Sequence, residues 1–142
     1  MRFMIIRKAD AETEASALPT RALMDAMMAY NQEMIDAGVM LSGDGLRSSK
    51  HGFRVEFSGG KPRIVDGPFT ETKELIAGYS IIEVSSREEA LEWVKRWPTE
   101  DANGRARLEV RQLIEPEDFG DAFTADMQRH EDLMREQAAR NA

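Results

Sequence analysis

The sequence contains no cysteine, and this absence excludes several kinds of chemistry. A chain without thiols forms no disulfide, has no thiolate nucleophile and binds no metal through thiolates. Aromatic residues are scarce as well, at 7% of 142 residues, yet 42% of the residues are hydrophobic and 32% are charged. This balance is typical of a globular protein rather than a disordered one, and the length favours one domain with a single core.

Positive charge is also in short supply. The 19 Lys and Arg residues are outnumbered by 26 Asp and Glu residues, which leaves a formal net charge of −7. An acidic surface repels phosphate backbones, so we predict no nucleic-acid partner. The apolar run near the N-terminus, residues 3–6, is too short for a signal peptide or a membrane span. We therefore predict a cytoplasmic protein with no membrane partner.

The beginning of the chain predicts a strand followed by a helix. Residues 3–7 are typical of a short buried strand. Thr20 can cap a helix in which apolar residues recur at three- and four-residue spacing, and Gly38 can end that helix. The glycine-rich residues 39–46 then predict a loop.

Three strands are predicted in the middle of the chain. Residues 51–57 alternate between apolar and polar side chains, as a strand with one apolar face does. The turn signal at residues 58–61 predicts a hairpin that returns through residues 63–65. Residues 76–84 predict a further strand.

The last part of this domain predicts a helix and a strand. Ser85 and Ser86 each stand three residues before a glutamate, which is the pattern of a capping box. The helix that follows is expected to stop at Pro98, and residues 108–113 predict the final strand. The resulting order of strand, helix, hairpin, strand, helix and strand is typical of a ferredoxin-like α+β sandwich.

Two apolar surfaces in this prediction need a cover. Helices on one face of the sheet leave the other face apolar, and a second copy of the chain is the natural lid. The tail is expected to form a separate charged helix that docks on its own domain or on a second copy. Its narrow apolar stripe consists of Phe119, Phe123, Met127, His130, Met134 and Ala138.

The segment Asp-Gly-Pro-Phe-Thr-Glu-Thr-Lys-Glu at residues 66–74 resembles the DGPF subgroup of the YCII-related family. Further matching pieces are Gly-Asp-Gly-Leu at 43–46, Ala-Gly-Tyr at 77–79, the helix at 88–93 and Leu-Glu-Val-Arg at 108–111. The resemblance covers a domain at residues 1–119, and residues 120–142 are interpreted as a C-terminal helical extension.

The resemblance implies a ferredoxin-like homodimeric α+β barrel with a pocket between sheet and loops in each subunit. Most DGPF-type members have no established reaction, and their genes often lie beside those of extracytoplasmic-function sigma factors. Some distant YCII relatives eliminate chloride from a hydroxylated aromatic by means of a His–Asp pair whose histidine lies on the first helix. The first predicted helix of this chain, residues 20–37, contains no histidine.

The 66–74 segment allows two interpretations. In the structural one, Asp66 binds nearby backbone N–H groups, Pro68 shapes the turn and Phe69 anchors it. In the functional one, the charged side chains line a pocket in which a carboxylate acts as general base or a lysine holds an anion. The pocket candidates of this segment are Asp66, Phe69, Glu71, Lys73 and Glu74. Two more candidates lie outside it: Asp44 is either a turn residue or a ligand contact, and Arg54 lies either in solvent or in the inter-subunit cavity.

The two histidines carry less information. His51 opens a predicted strand and is either solvated or a displaced general base, and His130 is expected to help pack the tail helix. Neither histidine has a partner at metal-ligand spacing, so we predict no metal site. The nine methionines, several of them on the first helix, are interpreted as adaptable core packing.

Two hypotheses on function follow. The first is a small-molecule-binding homodimer, accessory to a stress or sigma-factor regulatory system. The second is a cofactor-free lyase or isomerase that acts on a small aromatic or hydroxy acid. In the second case Asp66 or Glu71 would be the base, and Lys73 or Arg54 would hold the anion. No cofactor is predicted in either case.

Overall fold

The computed structural model describes residues 1–142 and contains six strands and four α-helices. The strands are β1 (Arg2–Lys8), β2 (Met40–Gly45), β3 (Phe53–Ser58), β4 (Lys61–Asp66), β5 (Ile76–Glu83) and β6 (Leu108–Gln112). The helices are α1 (Ala11–Glu14), α2 (Arg21–Asp36), α3 (Arg87–Val94) and α4 (Ala125–Ala139). The chain divides into two units, Met1–Gln112 and Leu113–Ala142. No helix is both long enough and apolar enough to cross a membrane.

Four strands of the first unit form an antiparallel sheet in the order β2-β5-β1-β6. The two outer strands are reached by crossovers that contain α2 and α3. This arrangement of helices and antiparallel strands is consistent with the predicted ferredoxin-like fold. The register places Phe3 opposite Ile82 and Ile5 opposite Ser80.

The core lies on the helix-facing side of this sheet. Phe3 and Ile5 of β1 and Ile82 of β5 are buried there with Tyr30 and Met34 of α2. Because successive residues of a strand point to opposite faces, the even-numbered residues of β1 lie on the other face. That second face also carries apolar side chains and is already partly covered within one chain, since Ile6 is only 9% exposed.

The helix boundaries follow the predicted caps. The Thr20 hydroxyl accepts a hydrogen bond from the Leu23 N–H, and the Ser86 hydroxyl accepts one from the Glu89 N–H. Gly38 adopts φ +72° after α2, the left-handed conformation that favours glycine. The helix predicted to reach Pro98 is shorter than expected, because α3 ends at Val94 and only a turn continues beyond it.

The prediction of a loop at residues 39–46 is wrong, because residues 40–45 form strand β2 at the edge of the sheet. Here glycine marks a close approach rather than a turn. A Cβ at Gly43 would lie 2.9 Å from the backbone oxygen of Tyr79 on β5. The hairpin was correctly predicted, but β3 and β4 pair only with each other and form a separate two-stranded sheet.

The hairpin exposes its apolar face. The side chains of Phe53, Val55 and Phe57 alternate with polar ones as predicted, and Ile64 stands opposite Val55. All four are exposed, Phe57 to 73%. The sequence pattern therefore identified the strand and its apolar face correctly, but not the exposure of that face, which depends on where the hairpin lies.

The second unit consists of a short 3₁₀ segment, Pro116–Ala122, followed by α4. Thr124 caps this helix by accepting a hydrogen bond from the Met127 N–H. No residue of α4 is buried, and Met127 and Met134 of the predicted stripe are about half exposed, at 52% and 50%. His130 is exposed as well.

Candidate functional site

A cavity of about 410 Å³ lies between α2 and the sheet. Its apolar wall includes Leu23, Met24 and Met27 of α2 and Met40 of β2. The methionines predicted to be core residues thus have different positions, since Met34 is fully buried while Met24 and Met27 line the cavity. Flexible thioether side chains can adjust to occupants of different shape.

The sheet side of the cavity is built from small residues. Gly43 and Gly45 of β2 and Ala77 and Gly78 of β5 all line it. Larger side chains would occupy this space, and at Gly43 there is no room even for a methyl group, because a Cβ would lie 2.9 Å from the Tyr79 backbone oxygen. The cavity therefore depends on the same glycines that allow β2 and β5 to pair closely.

A buried ion pair forms the polar end of the cavity. The Arg7 Nε and Nη2 groups donate to the two Asp101 carboxylate oxygens at 2.7 and 2.8 Å, and the Trp97 indole N–H donates to Oδ2 at 2.9 Å. Arg7 Nη2 also donates to Asp10 at 3.0 Å, and Arg7 Nη1 donates to the Lys8 carbonyl. The guanidinium is thus bound by two carboxylates and one carbonyl.

This environment changes the ionisation of the pair. Burial raises the pKa of Asp101, but the hydrogen bonds from Arg7 and Trp97 outweigh this effect, and the pKa is lower than the ordinary value. The hydrogen bond to Asp101 raises the pKa of Arg7 further. Asp101 is consequently a poor proton acceptor at neutral pH, and it serves to hold Arg7 in place.

Two polar side chains at the cavity lack partners in the protein. The Oδ1 atom of Asn31 on α2 is buried without a hydrogen bond. Ser80 of β5 is only 6% exposed, and its hydroxyl makes no hydrogen bond within the chain. Both residues line the cavity. Since buried polar groups are normally paired, these two groups are places where an occupant could bind.

The family model of the YCII-related domain matches residues 1–114, which are most of the chain. The chain belongs to the YCII-related family. No curated protein matches it. Among solved structures, the YCII-related chain resembles 5-chloro-2-hydroxyhydroquinone dehydrochlorinase (TftG) from Burkholderia phenoliruptrix AC1100 in complex with 2,5-dihydroxybenzoquinone. The alignment covers 81% of this chain and 95% of that chain, with 17% identity and a TM-score of 0.44.

Three of the pocket candidates predicted from the sequence contact one another on the surface, away from the cavity. The Arg54 guanidinium stacks on the Phe69 ring at 3.8 Å from its centroid, and its Nη1 atom lies 3.6 Å from Glu71 Oε2. The hydrogen bond from its own backbone N–H and the charge of Arg54 lower the pKa of Glu71. This direction is opposite to the one that favours a general base at neutral pH.

The Asp-Gly-Pro-Phe part of the segment is held by backbone contacts. The Gly67 N–H donates to the Gly52 carbonyl at 2.9 Å, and the Phe69 N–H donates to the Ser49 hydroxyl at 3.0 Å. A Cβ at Gly67 would lie 1.9 Å from the Ser49 carbonyl oxygen, so only glycine fits. Ser49 in turn donates its own N–H and hydroxyl to the Glu14 carboxylate. These contacts support the structural interpretation for Gly67 and Phe69, but the Asp66 side chain makes none of the backbone hydrogen bonds predicted for it.

The other four predicted pocket candidates do not form a common site. Asp44 lines the cavity and accepts a hydrogen bond of 3.4 Å from the Tyr79 hydroxyl, although the Asp44 side chain is exposed. Asp66, Lys73 and Glu74 are exposed and do not line the cavity. A ligand-binding role for any of the seven candidates stays a prediction.

Neither histidine belongs to a cluster that could bind a metal ion. His51 is exposed at the turn before the hairpin. No group of three or more His, Asp or Glu side chains is arranged so that it could hold a metal ion.

The residues that the structure brings to the cavity were largely missed from the sequence. One signal was available, because Arg7 stands two residues after Ile5 and so lies on the core-facing side of β1. A charged residue at such a position requires a buried partner. The sequence does not show that this partner is Asp101, which lies 94 residues away.

Proposed function

We propose that this YCII-related protein binds a small, mainly apolar molecule in the cavity between α2 and the sheet. The observation that carries the proposal is the cavity itself. Its volume of about 410 Å³ falls within the usual range for ligand sites. Its lining is mainly apolar, with a few polar groups at one end. Such a division between apolar surface and a few polar contacts is typical of small-molecule sites.

Binding explains the site better than acid–base catalysis. The cavity carboxylate Asp101 has a lowered pKa and is held by Arg7, so it is not poised to remove a proton. The alternative hypothesis, a cofactor-free lyase or isomerase with Asp66 or Glu71 as base, places its chemistry on the exposed loop instead. The lowered pKa of Glu71 argues against that assignment.

The assembly that we propose is a homodimeric α+β barrel of the DGPF subgroup. The segment at residues 66–69 and its contacts support the subgroup. On the second face of the sheet, Met4 and Ile81 are apolar and only partly buried, which supports a second copy as their cover. We keep residues 1–119 as the domain and residues 120–142 as an extension. The link to a stress or sigma-factor system stays a prediction from the resemblance.

A ligand screen with a blocked cavity tests the binding proposal. We expect members of a library of small aromatic compounds to raise the melting temperature of the wild type. Met24→Trp should abolish this shift, because the indole would fill the cavity. Met28→Trp is the matched control, since Met28 lies one turn along α2, is 69% exposed and does not line the cavity. Shifts that persist unchanged in Met24→Trp would refute the cavity as the binding site.

The dimer is tested separately by analytical ultracentrifugation. We expect the mass of two chains at micromolar concentration. A single chain at all concentrations would refute the dimer and the barrel, but it would leave the cavity proposal standing because every residue that lines the cavity belongs to one chain.

A further inference from the structure

The unpartnered groups of Asn31 and Ser80 restrict what the cavity can bind. Asn31 contributes a carboxamide from α2, and Ser80 contributes a hydroxyl from β5. Both groups are neutral, and each can donate or accept a hydrogen bond. The Asn31 Oδ1 atom is buried without a hydrogen bond, and the Ser80 hydroxyl has no partner in the chain. An occupant that pairs with these groups gains affinity over one that does not.

The charges around the cavity restrict the ligand further. Arg7 is the one positively charged residue that lines the cavity, and it is already bound by Asp101 and Asp10. The lining also includes the carboxylates of Asp44 and Asp101, so its formal charge is −1. A carboxylate ligand would have to displace Asp101 from Arg7 or lie among like charges, and both are unfavourable.

The apolar lining determines the rest of the ligand. Leu23, Met24 and Met27 offer hydrophobic surface on one side of the cavity, and Trp97 adds an aromatic ring near the ion pair. An apolar body of one or two rings fits this space, and methionines adapt to its outline.

We infer that Asn31 and Ser80 are specificity-determining residues, and that the cavity selects an uncharged apolar molecule with a hydroxyl or amide group while it rejects carboxylates. This inference rests on the proposed binding function. It also argues against the aromatic or hydroxy acid that the sequence predicted as substrate, because a carboxylic acid is charged at neutral pH.

The test uses three probes of similar size, namely 4-ethylphenol, ethylbenzene and 4-ethylbenzoate. Binding is followed at pH 7 by NMR of protein labelled with ¹³C in the methionine methyl groups. Met24, Met27 and Met40 report on the cavity, and exposed Met28 is an internal control. We expect 4-ethylphenol to bind about tenfold more tightly than ethylbenzene, as one additional hydrogen bond implies, and 4-ethylbenzoate to bind most weakly.

Variants assign the preference to the two residues. Ser80→Ala alone should reduce the advantage of 4-ethylphenol over ethylbenzene, and Ser80→Ala with Asn31→Leu should remove it. The control is Gln32→Leu, because Gln32 is exposed, binds Asp36 on its own helix and does not line the cavity. Ser80→Ala keeps the inference testable if the double variant fails to fold.

The possible failures are distinguishable. If none of the probes shifts the Met24 and Met27 resonances, both the binding function and this inference fail for such ligands. If ethylbenzene binds as tightly as 4-ethylphenol, or if 4-ethylbenzoate binds most tightly, the inference fails and the cavity remains a binding site.

Discussion

The protein contains two arginine–carboxylate pairs that differ in their surroundings. In the first, Arg7 and Asp101 meet at 2.7 Å with side chains that are 10% and 11% exposed. In the second, Arg54 and Glu71 approach to 3.6 Å with side chains that are 39% and 52% exposed. The first pair stands at the cavity, and the second lies on the surface beside Phe69.

The difference shows how burial determines the consequences of the same chemistry. Water and salt screen an exposed pair, so such pairs contribute little to stability. A buried pair is not screened, and removal of one partner leaves a charge without compensation. The pair with the longer distance includes Glu71 of the recognisable 66–74 segment. A recognisable sequence segment therefore does not by itself locate the most constrained charges.

The largest effect that we predict follows from breaking the buried pair. Asp101→Ala should lower the free energy of unfolding by about 3 to 5 kcal/mol, because Arg7 would lose its principal buried partner. Urea denaturation measures this difference, with one m-value fitted to both the wild type and the variant. If the free energy of unfolding fell as little as it does when an exposed ion pair is removed, the difference between the buried and the exposed pair would be contradicted.

A smaller loss is expected at the base of the exposed loop. Gly67→Ala should destabilise the protein by about 1 to 3 kcal/mol, since its Cβ would collide with the Ser49 carbonyl 1.9 Å away. Gly52→Ala is the matched control, because its nearest neighbour would be the same Ser49 oxygen at 3.6 Å and its φ of −117° suits alanine. Equal thermal stability of the two variants would show that the loop is not held in this way.

Alkaline pH tests the packing behind the cavity. Tyr30 donates its hydroxyl to the Trp93 carbonyl at 2.8 Å, and its ring contacts Trp97 edge-on. Burial raises the pKa of Tyr30 to about 12, from 10.0. Because the folded state holds this proton more tightly than the unfolded state, the contribution to stability is complete below pH 10 and is lost as the pH rises through 12.

The comparison variant for this prediction is Tyr30→Phe. It should cost about 1 kcal/mol at pH 8 through the lost hydrogen bond, and its stability should depend less on pH than that of the wild type between pH 10 and 12. Denaturation curves collected across this range measure both effects. Parallel pH profiles for the two proteins would contradict the raised pKa.

The smallest effect is expected at the exposed pair. Glu71→Gln should leave the urea midpoint nearly unchanged, because Arg54 keeps its stacking contact with Phe69 and is accessible to water. The same experiment at high salt should show no larger difference between wild type and variant. A clear destabilisation would show that the two pairs are more alike than their exposure indicates.

Local features of this chain were predictable because their causes lie within a few residues. Thr20 and Ser86 cap helices by binding N–H groups three residues away, and residues 58–61 turn a hairpin through the glycines at its tip. Strand β2 was missed because its glycines resemble those of a loop. Only pairing with β5 shows that Gly43 serves close contact between strands.

The sequence by itself determined the family, the caps, the hairpin and the α+β class, but not strand β2 of the main sheet. Only the tertiary structure decided that Arg7, Asn31, Ser80 and Asp101 meet at one cavity, while the recognisable 66–74 segment lies outside it. The physical reason is that caps and turns arise from contacts between near neighbours. A cavity arises from packing between distant segments, and each of its residues is chemically ordinary until its surroundings are known.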